Sequence, residues 1–446
     1  MVVSTTTTLT MATMAWPRIW WIARPSNHVA DIGFGNMAKA EHRHERRMHP
    51  RSDRSETTNA DTARRRHGRL ELADTRLRQD NFLNDFLTMK NEVDDFGILT
   101  DFQNLHAAHK SCRKGKRWKD SVAIYDIRGL ECTHALKRLL DSGRYRLSPY
   151  NCFTINERGK SRDIKSIKYH DRVVQKSLMD NVLTPVVQPT FIDANCASQK
   201  GKGTDYALQH LRKDMQAEFR RNGTMSYVLV CDMHHYFDSI PHKLLNDYYS
   251  EKFDDERLLG LIRHIHASIP GGVGVPLGNQ LSQLDALLAL SPLDHLVKEK
   301  MHIKGYGRYM DDFYLIHESK DYLKECLSFI RNYVEERGMS LNEKKTKIVP
   351  LTQGIDWLGF KFYMTESGKV VQRLSKKSIV HHKRKLKKMR RLLAEGKTTF
   401  KACADAHRGW KAHARRGDTY YLMRKMDALF SELFKEELAK EAKQNV

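Results

Sequence analysis

The run Tyr306-Gly-Arg-Tyr-Met-Asp-Asp-Phe-Tyr-Leu-Ile316 places two acids, Asp311 and Asp312, between apolar and aromatic flanks. Such flanks predict two short strands with the carboxylates at the turn between them. Adjacent buried charges repel each other and are costly to desolvate. A divalent cation relieves both costs, and hard oxygen ligands suit magnesium or manganese. The doublet therefore points to metal-assisted phosphoryl chemistry. Most Asp-Asp doublets are solvated turns, and two others serve as internal controls. Asp94-Asp95 reads as a helix-end or loop doublet, and Asp254-Asp255 as a helix N-terminus. Neither has apolar strands on both sides.

The chain has 446 residues and a formal net charge of +23 spread along its length. That length allows a sizeable core and two or three structural units. That charge favours a polyanionic partner, with nucleic acid ahead of a membrane surface. Seven cysteines (Cys112, Cys132, Cys152, Cys196, Cys231, Cys326 and Cys403) form no C-x-x-C pair. A zinc site or disulfide framework is not expected, and a reducing compartment fits. The pairs His234-His235 and His381-His382 lack ligand spacing and read as contact or surface residues. No apolar run approaches the roughly 18 residues of a membrane span. The N-terminus carries a threonine tract with Trp16, Trp20 and Trp21, and lacks the charged-then-apolar order of a signal peptide. Residues 1–79 read as a mostly disordered basic extension, with Met37 and Met48 as alternative starts.

Globular patterning begins near Asn81, where Phe82, Leu83, Phe86 and Leu87 recur at helical spacing. Helices are expected at 101–112, 131–141, 169–185, 204–221, 241–252, 255–267, 280–300 and 320–337. Strands are expected at 151–155 and 161–167 as a hairpin, and at 225–230, 346–350 and 355–363. A glycine-rich loop covers 271–278, and from Ser375 the chain is basic and helical. The basic turn Arg113-Lys-Gly-Lys-Arg-Trp118 suits either a phosphate backbone or plain solvation.

Asp232 closes the apolar run Tyr227-Val-Leu-Val-Cys231. An acid there is either a cap or turn residue or a ligand-binding group. A two-metal phosphoryl-transfer site needs carboxylates from separate segments, with ions about 3.5–4 Å apart. Asp232 with Asp311 and Asp312 meets that need if their strands are neighbours. Val230-Cys-Asp-Met-His-His-Tyr-Phe-Asp-Ser-Ile240 resembles the first catalytic motif of reverse transcriptases, and Tyr309-Met-Asp-Asp312 their second. Lys160-Ser-Arg162 with Asp171-Arg-Val-Val-Gln175 resembles the fingers motifs, and Gly201-Lys-Gly-Thr204 a glycine-rich run of bacterial members. Gly274-Val-Pro-Leu-Gly-Asn-Gln-Leu-Ser-Gln283 resembles the template and nucleotide grip. Leu341-Asn-Glu-Lys-Lys-Thr-Lys-Ile348 and Trp357-Leu-Gly-Phe360 resemble the motifs that close the palm. The order is right over about residues 81–440.

The resemblance implies an α+β right-hand polymerase: fingers, a palm with an antiparallel sheet, and a helical thumb behind the disordered N-terminal extension. Fingers and palm would span 80–365 and the basic thumb 366–446. Asp232 and Asp311 would hold two Mg2+ ions, for which Mn2+ substitutes, with Asp312 supporting them and the Met233 carbonyl completing a shell. Lys160 and Arg162 would clamp the triphosphate. Phe237 would be the steric gate against a ribose 2′-hydroxyl. Gly278 would let backbone approach the incoming base pair. Lys345 would either assist proton transfer to pyrophosphate or face solvent. In the thumb, Arg384, Lys387, Lys388, Arg391, Arg408 and Trp410 would meet the template–primer duplex, unless the bundle makes no substrate contact. Leu386, Met389 and Leu393 would form its core face, with Gly396 as helix stop.

Leu277 stands where many reverse transcriptases carry glutamine, and Ser282-Gln283 replaces the commoner Ser-Pro. This form resembles diversity-generating-retroelement and phage-defence enzymes of prokaryotes. A lost polar contact implies low fidelity. The resemblance implies an RNA template, a DNA or RNA primer and dNTPs as partners. A structured non-coding RNA or a small basic accessory protein would join them, in a prokaryotic cytoplasm and away from membranes. No stretch after about residue 366 reads as an RNase H domain or a Cys-rich endonuclease tail. The competing class is a catalytically silent nucleic-acid-binding protein on the same fold.

Overall fold

The computed structural model describes residues 94–157 and 160–444. The expected N-terminal extension, the alternative starts and the helical pattern around Phe82–Leu87 lie outside those residues. All described residues fall within one unit, Arg66–Val446.

In chain order the helices are α1 (Asp95–Thr100), α2 (Phe102–Cys112), α3 (Asp120–Ile127) and α4 (Gly129–Asp141). The hairpin β1 (Asn151–Glu157) and β2 (Lys160–Ser166) comes next, then α5 (Tyr169–Ser177), α6 (Thr184–Val187) and α7 (Thr204–Asn222). A π-helical turn, Leu178–Leu183, joins α5 to α6. Strand β3 (Tyr227–Asp232) precedes α8 (Tyr236–Ser239), α9 (His242–Lys252), α10 (Glu256–Ala267), α11 (Leu281–Leu288) and α12 (Ser291–His295). Then come β4 (Gly305–Tyr309), β5 (Asp312–His317), α13 (Lys320–Glu335) and the strands β6 (Lys347–Pro350), β7 (Ile355–Trp357), β8 (Phe360–Met364) and β9 (Val370–Leu374). Four helices close the chain: α14 (Lys376–Ala394), α15 (Phe400–Ala414), α16 (Tyr420–Leu433) and α17 (Lys435–Gln444).

The central sheet is antiparallel, in the order β4-β5-β3-β6. Its middle strands are apolar throughout because both faces are covered. Leu229, Cys231, Phe313 and Leu315 enter one core with residues of α12 and α13. Val228, Val230, Tyr314 and Ile316 enter a second core with α7 and the small sheet β7-β8-β9. The sheet is thus gripped from both sides, and its β3 and β4–β5 ends are fixed in register. The α+β plan expected from the sequence is present.

Several local expectations need correction. The run at 280–300 is not one helix. It breaks between α11 and α12, where Leu290 leaves the helical region at φ −107° and ψ 1° and Pro292 sits in the first turn of the new helix. The single strand expected at 355–363 is two strands turned by Leu358 and Gly359, both at positive φ (47° and 87°), a pair of angles that fits a tight hairpin. Strand β9, unforeseen, pairs along β8, and the helices that follow start at Lys376. Helix α3 also escaped the reading, because Ile124 and Ile127 face solvent and blur its period. Asp94 opens a helix instead of ending one: its carboxylate accepts the Gly97 N–H at 2.8 Å. Asp255 caps α10 as expected, and also accepts the Phe96 N–H at 2.9 Å.

The C-terminal helices enclose a small core of Leu386, Cys403, Met426, Phe430 and Phe434, with Met389 and Leu393 packed against it. Gly396, at φ +67°, ends α14. All seven cysteines are free thiols. Among the described residues, no helix is long and apolar enough to cross a membrane.

Candidate active site

Antiparallel pairing sets Asp232, the last residue of β3, directly opposite Asp312, the first of β5. Tyr309 pairs with Asp312, which leaves Met310 and Asp311 as a two-residue turn. Met310 has φ +60°, a left-handed conformation that costs a non-glycine residue about 1 kcal/mol or more. One backbone bond ties this turn to the segment after β3, and a second ties the end of β3 to the segment before β6. The Met233 N–H donates to the Asp311 carbonyl at 3.1 Å, and the Asn342 N–H donates to the Asp232 carbonyl at 2.7 Å. The three carboxylates that the sequence separates by about eighty residues are therefore neighbours.

Their electrostatics bear the mark of crowding. Burial, a hydrogen bond with Asp232 and the charges of Asp311 and Asp232 push Asp312 up to about 8. Burial and the Asp232 charge also raise Asp311, against Lys345 and Arg162, which lower it. Lys345 forms an ion pair with Asp232, and Asn342 Nδ2 donates to the other Asp232 oxygen at 3.1 Å. Burial works against the Lys345 charge, but the Asp232 hydrogen bond and the three acids raise its pKa. One ammonium and a retained proton thus offset part of the charge of three acids.

Among the described residues, no three His, Cys, Asp or Glu side chains stand ready as a metal cage. The donor set nevertheless fits a divalent cation chemically. All donors are hard carboxylate oxygens, they repel one another, and one ligand is engaged by a displaceable lysine.

The glycine-rich loop joins this centre to the β1–β2 hairpin. Its Gly274 and Val275 N–H groups donate to the Ile240 and Phe237 carbonyls at 2.8 and 2.7 Å. On its other side the Lys165 N–H of β2 donates to the Leu277 carbonyl at 3.1 Å. Gly278 has φ +125°, and a Cβ there would sit 2.9 Å from the Lys165 carbonyl oxygen. The close approach it permits here is to strand β2. Asn279 donates to the Tyr150 hydroxyl at 3.2 Å, and Gln175 accepts the Gln280 N–H at 3.3 Å.

Phe237 packs half-buried against the core beneath the sheet, beside Tyr236. Arg162 is exposed on β2 opposite Ile155, and its charge is felt at Asp311. Lys160 begins β2, and its side chain lies outside the described residues. On α14, Arg384, Lys387, Lys388 and Arg391 are exposed and line shallow grooves with Val380, Leu429 and Leu433. Arg408 pairs with Asp405 on its own helix. Trp410 is half-buried, with its ring stacked on His382 at 4.3 Å and packed into two cores. His382 itself is buried and bonded to His407, whereas His234 and His235 are exposed.

Residues 155–362 match the reverse transcriptase (RNA-dependent DNA polymerase) family. This stretch is a reverse transcriptase domain. No curated protein matches the chain. Among solved structures, apo telomerase from Candida tropicalis, truncated of its C-terminal domain, matches at 14% identity and a TM-score of 0.39, covering 53% of this chain and 59% of that one. Telomerase from Candida albicans in complex with a fragment of telomeric RNA matches at 16% identity and a TM-score of 0.40, covering 66% of this chain and 56% of that one. The chain thus spans under two thirds of the length of either telomerase.

The reverse transcriptase domain holds functional candidates that sequence reasoning missed. Asn342 follows Leu341 in a quoted motif but carried no signal of its own. Arg308 and Asp294, fully buried behind the Met310-Asp311 turn, look like ordinary surface charges in one dimension. Tyr150 and Gln175 anchor the loop through single side-chain bonds that no periodicity encodes.

Proposed function

We propose that this chain is an RNA-directed DNA polymerase that makes cDNA by two-metal nucleotidyl transfer. The observation that carries the reading is the register of Asp232 opposite Asp312, with Asp311 at the intervening strained turn, inside a reverse transcriptase domain. Asp232 and Asp311 would hold two Mg2+ ions, with Asp312 and the Met233 carbonyl in support. When bound, the ions supply activation of the primer 3′-hydroxyl and charge stabilisation of the leaving pyrophosphate. Lys345, released from Asp232, is placed to protonate that pyrophosphate. Arg162, whose charge already reaches Asp311, clamps the triphosphate together with Lys160. Phe237 excludes a 2′-hydroxyl, and so selects dNTPs. Leu277 offers no polar side-chain contact to the nucleotide, and so lowers fidelity.

The fingers and palm occupy the described residues up to β9, and α14 to α17 form the thumb. Arg384, Lys387, Lys388 and Arg391, exposed on one helix, meet duplex phosphates without reading sequence. Binding of template and primer therefore weakens steeply with salt. The partners are an RNA template, a DNA or RNA primer and dNTPs, with a structured RNA or small accessory protein. The grip-loop form, Leu277-Gly278 through Ser282-Gln283, supports a prokaryotic retroelement or phage-defence role in the cytoplasm.

Primer extension with magnesium on RNA and DNA templates tests the proposal, beside an Asp311→Ala/Asp312→Ala variant. Synthesis by the parent alone, with dNTPs preferred to rNTPs, is expected. Retained duplex binding without synthesis on any template would instead indicate a silent nucleic-acid-binding protein.

A further inference from the structure

Arg308, on β4, has no solvent exposure, and neither has its partner Asp294 on α12. Burying such a pair is costly unless every donor finds an acceptor. Arg308 Nε and Nη2 form a fork onto the two Asp294 oxygens at 2.7 and 2.6 Å. Nη2 also donates to the Leu287 carbonyl at 2.9 Å, and the Tyr306 hydroxyl donates to Asp294 at 2.6 Å. The remaining arm, Nη1, reaches forward and donates to the Met310 carbonyl at 3.0 Å. Met310 is the left-handed residue of the catalytic turn, and the next carbonyl, that of Asp311, receives the Met233 N–H. Two successive carbonyls of a strained turn are thus held from opposite directions.

The backbone of Arg308 is fixed as well. Its N–H donates to the Ala194 carbonyl at 2.9 Å, and its carbonyl accepts the Cys196 N–H at 2.8 Å. If bulk stability were the whole role of this pair, apolar side chains of similar volume would serve as well or better. What apolar side chains cannot do is donate to Met310.

We propose that Arg308, locked by Asp294, is a positioning residue that holds the Met310-Asp311 turn in its strained conformation and so aims the Asp311 carboxylate. The inference rests on the reading of Asp232, Asp311 and Asp312 as a polymerase centre. Arg308 touches no substrate and acts only through the turn. Lysine keeps the charge but cannot fork onto Asp294 and reach Met310 together.

The test is Arg308→Lys, with extension of oligo(dT) on poly(rA) measured at a fixed interval below each variant's own melting temperature. The expected result is a fall in kcat of about tenfold or more, with KM for dTTP within about threefold of the parent. Amide hydrogen exchange should quicken over residues 309–313 in particular. Adding Met310→Gly, which suits a positive φ without restraint, should restore part of the lost kcat. Glu218→Gln, which weakens a buried network on α7, should lower the melting temperature and leave kcat unchanged. The proposal is overturned if Arg308→Lys lowers the melting temperature alone, with kcat and exchange at 309–313 as in the parent. If the parent makes no DNA on any template, the polymerase reading fails, while exchange at 309–313 still decides for or against the strut.

Discussion

Two ion pairs flank the same hairpin, and they are built to opposite specifications. Behind it, Arg308 and Asp294 have no exposure, a two-pronged geometry, and acceptors for four donated hydrogen bonds. In front of it, Lys345 reaches Asp232 by a single ammonium, with 53% of the lysine side chain exposed and 5% of the aspartate. A buried, forked and satisfied pair cannot exchange partners without leaving a charge stranded. A half-exposed lysine can swing into water at little cost. The first pair is scaffold, and the second is the kind of contact that yields to a cation.

The sharpest way to break this comparison is to delete one member of each pair. Arg308→Ala strands the Asp294 charge, and chemical denaturation should show a loss of about 3–5 kcal/mol. An unchanged midpoint would mean that the hairpin does not depend on its buried pair. A third polar cluster, among the C-terminal helices, extends the contrast, because it is buried with no charge at its centre. His382 is lowered to about 3 by burial and by neighbouring His407, which itself bonds to Asp427 beside Lys411. The unfolded chain, with an ordinary histidine, binds the extra proton first as pH falls. Stability is therefore full above about pH 6.5 and should drop by ~2 kcal/mol at pH 5. Thermal melts of His382→Gln across that window should show a flatter slope, and equal slopes would remove His382 as the cause.

Lys345→Met should cost less stability than Arg308→Ala, within about 1 kcal/mol, as for most exposed pairs. It should also tighten Mn2+ binding followed by electron paramagnetic resonance, since a competing cation is gone. Weaker Mn2+ binding would show that Lys345 organises the acids instead of competing for them. The smallest structural effect is expected for Leu277→Gln, in a loop held by its backbone carbonyl. Its readout is the error spectrum of the cDNA, which should narrow. An unchanged spectrum removes Leu277 from fidelity.

The front of the hairpin was legible in sequence, and the back was not. Asp232, Asp311 and Asp312 each end an apolar strand or sit in a turn, a position where an acid is anomalous and so draws notice. Arg308 and Asp294 give no such signal, because a lone arginine in a strand and a lone aspartate near a proline are ordinary until the fold removes water from both. The glycine-rich loop was found by its glycines, whereas the atom that crowds Gly278 belongs to Lys165, more than one hundred residues earlier, and leaves no local signal. The stack of Trp410 on His382 joins two helices and is likewise invisible in one dimension. The β7–β8 hairpin was missed because Leu358 carries a left-handed turn usually left to glycine or asparagine.

The claim that the front cluster is the polymerase centre is tested most directly by Asp232→Asn, with magnesium-dependent dNTP incorporation on an RNA template as the readout. Removing one of three crowded charges should leave the melting temperature unchanged or raised. Incorporation should fall about 1,000-fold, which corresponds to several kcal/mol of lost transition-state stabilisation. Incorporation at the parent rate would contradict the account.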